Sequence, residues 1–331
     1  MQALGKKAVL AGVAATAAFL MARRTSSVSL GAWLVTNVAL PIVYRDGPTD
    51  RQSLLAAIGK DRAHGPALPP RRMRDALNFT DSVGPAGRRF TLDAGQGSSR
   101  GPHILYFHGG AYVMQLVAPQ WTLIGGLVER IGGTVTVPLY PLAPEHDGQA
   151  GLAMADAAFD ELAERVGAPS IVVAGDSAGG GLALALTHRR RAAGKSLPAG
   201  LVLFCPWLDA TASGTDQPDI ERRDPTLTIA MLRAAGRMWA GAEDPASPPF
   251  SPLFGDHSGL PPTLVFAGTR DLLSSDARRF VAMAPAVNLE LYTDMFHVWM
   301  AAPIAEGRRA LDRAAAFVAA AVSSPVREAT A

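Results

Sequence analysis

Two pentapeptides in this chain have the form Gly-x-Ser-x-Gly: Gly97-Ser98-Ser99-Arg100-Gly101 and Gly175-Asp176-Ser177-Ala178-Gly179. A serine between small residues acts as a nucleophile when a tight strand-to-helix turn exposes its hydroxyl at the end of a sheet. The two matches differ in their surroundings. Ser177 follows the apolar run Ile171-Val172-Val173-Ala174 and precedes Gly179-Gly180-Gly181 at the start of a helical stretch, whose amino terminus directs amides toward developing negative charge. Ser99 follows Ala94-Gly95-Gln96-Gly97 and precedes Pro102, with a strand beginning only afterwards, so it reads as loop. Ser177 is the candidate nucleophile, and its chemistry is attack on an acyl carbonyl.

A tetrahedral oxyanion requires preorganised donors. Directly after the apolar strand His103–Phe107 comes His108-Gly109-Gly110-Ala111, where glycines let main-chain amides face a substrate. Gly109, Gly110 and Ala178, the residue after the nucleophile, are the expected donors, and His108 is expected to be structural. Of seven histidines, only His188, His257 and His297 follow Ser177 in the order serine, acid, histidine. His188 lies too far along the helix after Ser177, and His257 precedes a strand on the wrong edge. His297 follows the last strand at a carboxyl end, where catalytic loops collect, and is the expected base. Asp271, after the strand Thr263–Ala267, is the expected acid that holds the imidazole tautomer. Asp276 and Asp294 lie nearby, and Asp176 is expected to brace the oxyanion loop.

These groups must be positioned by a sheet. From Leu77 onward, short apolar runs alternate with helical stretches, which predicts βαβ crossovers in an α/β fold. The predicted architecture is a mostly parallel, doubly wound central sheet of about eight strands with a helical cap. Expected strands are Arg88–Asp93, His103–Phe107, Thr134–Pro138, Ser170–Ala174, Gly200–Phe204, Thr263–Ala267 and Asn288–Tyr292. Expected helices are Trp121–Ile131, Gln149–Val166, Ala178–Ala193, Ser274–Ala284 and Pro303–Val322. The stretches 25–74 and 212–250 fall outside this rhythm and read as two parts of one cap over the site. Residues 25–331 then form the α/β unit, preceded by an apolar segment, 1–24.

At this point the chain resembles the hormone-sensitive-lipase-like group of α/β-hydrolase esterases. The resemblance rests on His108-Gly109-Gly110-Ala111, Tyr140-Pro141-Leu142-Ala143-Pro144-Glu145-His146, Gly175-Asp176-Ser177-Ala178-Gly179-Gly180, Asp224-Pro225, Ser251-Pro252-Leu253, Asp271-Leu272 and Phe296-His297-Val298. It implies a carboxylesterase or lipase acting on short to medium acyl esters through an acyl-enzyme, with no cofactor. An amidase or deacetylase of small acylated metabolites is the alternative, with a non-catalytic ligand-binding member behind it. Two departures stand out. Ala111 replaces a frequent third glycine, which narrows room for bulky alcohols, and Asp294 stands where glycine is frequent.

Composition bounds the rest. The 331 residues are 48% hydrophobic and 18% charged, and 31 Lys+Arg against 29 Asp+Glu give a net charge of +2, which implies no nucleic-acid partner. Arg189-Arg190-Arg191 reads as helix-terminal cations favoured by the macrodipole. The single cysteine, Cys205, excludes an internal disulfide and cannot supply the thiolates of a structural zinc site, so it reads as a small buried hydrophobe. Residues 8–22 are almost wholly apolar between Lys6-Lys7 and Arg23-Arg24, too short to span a bilayer comfortably. They are read as a membrane-associating or loosely packed helix on a cytoplasmic protein. A signal peptide or anchor, and a shorter chain opening at Met21, remain the open alternatives.

Overall fold

A computed structural model describes residues 28–45, 47–48, 50–95 and 101–323. Residues 8–22 and the Ser99 pentapeptide, apart from Gly101, lie outside the described residues. Eight strands form one sheet: β1 (Asn78–Gly84), β2 (Gly87–Asp93), β3 (His103–Phe107), β4 (Thr134–Pro138), β5 (Ile171–Asp176), β6 (Gly200–Phe204), β7 (Thr263–Gly268) and β8 (Asn288–Tyr292). Their order is β1-β2-β4-β3-β5-β6-β7-β8. β1 and β2 are antiparallel, β2 also pairs antiparallel with β4, and β4, β3 and β5 to β8 run parallel.

The helices are α1 (Leu30–Leu34), α2 (Leu40–Val43), α3 (Arg51–His64), α4 (Arg71–Ala76), α5 (Gln120–Ile131), α6 (Gly148–Val166), α7 (Ala178–Ala192), α8 (Gln217–Glu221), α9 (Ile229–Ala240), α10 (Ser274–Met283) and α11 (Ala305–Ser323), with a π-helical turn, Val35–Ala39, joining α1 to α2. Among the described residues, no helix is long and apolar enough to cross a membrane.

Alternation along the central strands builds two cores. Leu105, Phe107, Val173, Leu203 and Val265 point to the face covered by α6, α7 and α10. Ile104, Tyr106, Val172, Ala174, Phe204 and Phe266 point to the face covered by α5 and α11. Successive side chains on a strand face opposite ways, so strands apolar at every position are those covered on both sides. Each fully buried Leu, Val or Phe contributes roughly 1.5–3 kcal/mol relative to exposure.

Register then aligns the carboxyl ends. Phe107 of β3 pairs with Gly175 of β5, and Asp176 of β5 pairs with Phe204 of β6. Phe204 in turn pairs with Phe266 of β7, and Gly268 of β7 with Tyr292 of β8. The segments following these strands emerge at one edge: His108–Ala111, Ser177, Cys205, Asp271 and His297. Helices α8 and α9 occupy the long β6–β7 connection, and α9 packs against α3 from the amino-terminal helical region.

Candidate active site

Ser177 links β5 to α7 with φ 54° and ψ −121°, a backbone region that costs about 1–3 kcal/mol for a residue with a side chain. Three main-chain bonds hold it there. The Ser177 amide donates to the Phe204 carbonyl at 2.9 Å, and its carbonyl accepts from Trp207 at 2.9 Å and Gly181 at 3.2 Å. A Cβ on Gly179 would lie 1.9 Å from the Phe107 carbonyl oxygen, so the elbow closes onto β3 only with glycine at that position. Ser177 keeps 7% of its surface exposed.

The loop after β3 packs directly on this elbow. A Cβ on Gly109 would come within 2.3 Å of Asp176 Oδ2 and 3.0 Å of Ser177 Cβ. Asp176 braces the loop, as expected. Its Oδ1 accepts from the Gly109 amide at 2.9 Å and from the Tyr106 hydroxyl at 2.6 Å, and Oδ2 accepts from Gln120 Nε2 at 2.9 Å. This corrects the expectation for Gly109: its amide is turned into the Asp176 carboxylate and is not free for an oxyanion. The amides of Gly110, Ala111 and Ala178 make no hydrogen bond among the described residues. Gly110 and Ala178 therefore keep their expected freedom to donate, and Ala111 joins them. Gly110, Ala111 and Tyr112 all have positive φ, at 122°, 53° and 63°.

His108 is fully packed, as the sequence suggested. Its Nδ1 lies 2.7 Å from the Gly109 carbonyl, its ring stacks on Tyr140 at 4.6 Å, and burial lowers its basicity below the ordinary imidazole range.

Asp271 and His297 are brought together from loops 26 positions apart in sequence: His297 Nδ1 lies 3.1 Å from Asp271 Oδ2. Asp271 is completely buried, while the His297 side chain keeps 11% exposure. Burial by itself would lower the His297 imidazole pKa, but the charge and hydrogen bond of Asp271, with the charges of Asp224 and Asp176, raise it above its ordinary value. The Asp271 loop is tied by Leu273, whose amide donates to Asp271 Oδ1 at 2.9 Å, and by the Asp271 amide, which donates to the Gly268 carbonyl at 3.0 Å. Val298 follows the histidine at φ 52° and donates its amide to Cys205 Sγ at 3.3 Å. Asp294 has φ 57°, the left-handed region that glycine enters freely and Asp tolerates better than most residues. That conformation accounts for the glycine expected there.

The other candidates lie elsewhere or do other work. His188 and His257 pair with each other, Nε2 to Nδ1 at 3.2 Å, and the Asp276 carboxylate caps the Leu208 and Asp209 amides at 3.0 Å each. Arg190 is buried among Asp156, Asp160 and the face of Phe159, so it is a core ion-pair residue as well as a helix-terminal cation. Among the described residues, one group of His, Cys and acidic side chains lies close enough to hold a metal, Cys205, Asp271 and His297 within 4.8 Å. It consists of the candidate acid–base pair and a thiol that burial pushes well above its ordinary pKa. Sequence reasoning missed Tyr106 and Gln120, the further donors to Asp176, because both sit inside apolar stretches with no motif.

Comparison with known proteins settles the family. The profile of a family described as alpha/beta hydrolase fold matches residues 104–301, more than half of the chain. The chain belongs to the alpha/beta hydrolase fold family. This hydrolase is 36% identical over 225 residues to an acetyl-hydrolase of Streptomyces hygroscopicus, a match covering 66% of this chain and 75% of the relative. It is 29% identical over 261 residues to the carboxylesterase/phospholipase LipF of Mycobacterium tuberculosis, covering 74% and 69%. Among solved structures, an esterase from the bacterial hormone-sensitive lipase family superposes with a TM-score of 0.76 at 27% identity, covering 90% of this chain and 100% of the other. The hydrolase is thus of the carboxylesterase/lipase type, in the hormone-sensitive-lipase-like group.

Proposed function

We propose that Ser177, His297 and Asp271 form a catalytic triad that hydrolyses carboxylic esters through an acyl-enzyme. The observation that carries this reading is the Asp271–His297 hydrogen bond at the same sheet edge as the strained Ser177 turn. His297 takes the Ser177 hydroxyl proton as the oxygen attacks the ester carbonyl, and Asp271 stabilises the resulting imidazolium. The amides of Gly110, Ala111 and Ala178 receive the oxyanion. His297 then protonates the leaving alcohol, and a water molecule repeats the sequence on the acyl-serine. Every proton passes through His297, so the cycle needs no cofactor.

The two helical stretches outside the sheet rhythm, around 25–74 and 212–250, act together as a cap in this proposal, supported by the packing of α9 on α3. Short acyl groups are the proposed substrates, in line with the acetyl-hydrolase relatives of Streptomyces hygroscopicus and Mycobacterium tuberculosis. Residues 8–22 are proposed to associate with membranes. Fractionating cells that express the full chain or a form starting at Met21 tests this, and equal membrane recovery of the two forms counts against it.

For the reaction, the test is titration with a serine-directed organophosphate together with assay of p-nitrophenyl esters from acetate to palmitate. One equivalent of reagent should abolish turnover, Ser177→Ala should lose it, and acetate or butyrate should be the best substrate. Undiminished hydrolysis by Ser177→Ala overturns the triad. A rising profile toward palmitate overturns the short-acyl reading.

A further inference from the structure

Asp224 opens one of the sequence motifs to which the catalytic scheme gives no role. It lies in the long β6–β7 connection, between α8 and α9, and its two carboxylate oxygens face different elements. Oδ1 accepts from the Thr226 amide at 2.8 Å, the Thr226 hydroxyl at 2.8 Å and the Leu227 amide at 3.1 Å, which fixes the turn into α9. Oδ2 accepts at 2.7 Å from the amide of Leu272, the residue immediately after Asp271. A second link runs alongside the first: Arg270 Nε donates to the Arg223 carbonyl at 3.2 Å. Arg270 also reaches back with Nη1 to Asn37 Oδ1 at 2.9 Å, in the π-helical turn of the amino-terminal region. Both proposed pieces of the cap therefore converge on residues 270–272, the loop that carries the acid.

We propose that Asp224 is a positioning residue for the triad, holding the Asp271 loop through Leu272 and setting a second carboxylate charge beside His297. The inference rests on the triad reading. The charged and titratable groups around His297 are Asp271 on the acid loop, Asp224 from the cap insertion, Asp176 from the elbow and the Cys205 thiol after β6. Around Asp224 are Asp271, His297 and, from the amino-terminal helices, Tyr44, with Arg270 as the adjacent cation. Burial and the Asp271 charge raise the Asp224 carboxyl above its ordinary value. Once ionised, Asp224 favours the imidazolium that forms when Ser177 gives up its proton. Docking of the cap insertion and basicity of the base are thereby coupled through one side chain.

The test is the pH profile of kcat/KM for a p-nitrophenyl ester in Asp224→Asn and Asp224→Glu, measured on the full chain. Removing the charge should let His297 stay neutral to lower pH, moving the acid limb down by about half a pH unit or more in Asp224→Asn. Plateau kcat should fall about tenfold, because one amide partner loses its acceptor and the acid loop shifts. Asp224→Glu keeps the charge but displaces the acceptor, so kcat should fall while the limb stays near its original position. A folded Asp224→Asn enzyme with an unmoved limb overturns the proposal, as does a limb that moves equally in both variants. If Asp224→Asn does not fold, Asp224→Glu decides alone, and unchanged kcat overturns the positioning role. Failure of the triad itself is read separately, from Ser177→Ala and His297→Ala, which leave Asp224 in place.

Discussion

Asp176 accepts a hydrogen bond from the amide of Gly109 at 2.9 Å, so the residue before the proposed nucleophile fixes the loop proposed to receive the oxyanion. The same carboxylate gathers the Tyr106 hydroxyl and Gln120 Nε2, three donors on one buried group. Replacing it with alanine strands all three, and each stranded donor costs about 1–3 kcal/mol. Asp176→Ala should lower kcat on the order of 10²-fold, the scale of losing one oxyanion donor, with a smaller change in KM. Asp176→Asn should be milder, since its remaining oxygen can still accept from Gly109 and Tyr106. Only the Gln120 contact is lost, the Gln120 amide being held unflipped by the Val117 amide on its Oε1 at 2.8 Å. Steady-state kinetics decide between them, and wild-type kcat in the alanine variant would sink the bracing role.

The Asp271–His297 pair carries a prediction about pH. A His297 pKa above its ordinary 6.5 keeps the base protonated, and therefore inactive, until the pH exceeds that value. The acid limb of kcat/KM should accordingly lie above pH 6.5. Asp271→Asn removes the largest favourable charge, so the limb should move down while kcat falls by about 10⁴-fold as tautomer control is lost. A limb that rises in this variant contradicts the assignment of Asp271 as the acid.

Much of this site was legible because buried parallel strands announce themselves as apolar runs. His103–Phe107, Thr134–Pro138 and Gly200–Phe204, buried throughout, coincide with the strands expected from sequence. So does the partly exposed edge strand Asn288–Tyr292, whose Leu residues alternate with polar ones. The carboxyl ends of β3, β5 and β7 led to Gly109, Ser177 and Asp271. β1 was not legible. Its residues, Asn-Phe-Thr-Asp-Ser-Val-Gly, form an exposed edge strand without an apolar run, recognisable only through its hairpin with β2. The Gly109 error has a similar origin. Glycine spacing marks a loop that approaches the nucleophile, but which amide faces substrate depends on Asp176, 67 residues away, pulling one of them aside. The family comparisons bear on the fold and the reaction class; the residue roles rest on geometry.

Trp239 ties the proposed cap to the proposed oxyanion loop. Its ring stacks on Tyr112 with centroids 4.1 Å apart and planes 4° from parallel, and Tyr112 stacks in turn on Trp207 at 5.4 Å. Trp239 is 1% exposed and packs closely over Gly151 of α6. Trp239→Ala should destabilise the fold by about 3–5 kcal/mol, the usual cost of emptying a buried aromatic site. It should also lower kcat, because Tyr112 directly follows Ala111. Urea unfolding checks the first effect and p-nitrophenyl acetate turnover the second. A stability loss without any change in turnover would separate the aromatic stack from the catalytic loop.

The His188–His257 pair carries the last prediction, one about stability. Burial first, then the neighbouring His257 and Arg191, lower the His188 pKa to about 4, whereas Asp256 pulls weakly the other way. Its Nδ1 is buried against Gly255 without a hydrogen-bond partner among the described residues, so protonation would place a charge where none of them receives it. The unfolded chain, with an ordinary histidine near 6.5, binds a proton more readily than the native state in this range. Stability from this site is therefore full above about pH 6.5 and is lost progressively as pH falls from 6.5 toward 4. His188→Gln, which cannot titrate, should flatten the pH dependence of the urea midpoint between pH 4.5 and 7. An unchanged slope would mean that other groups, His257 first among them, govern the acid lability.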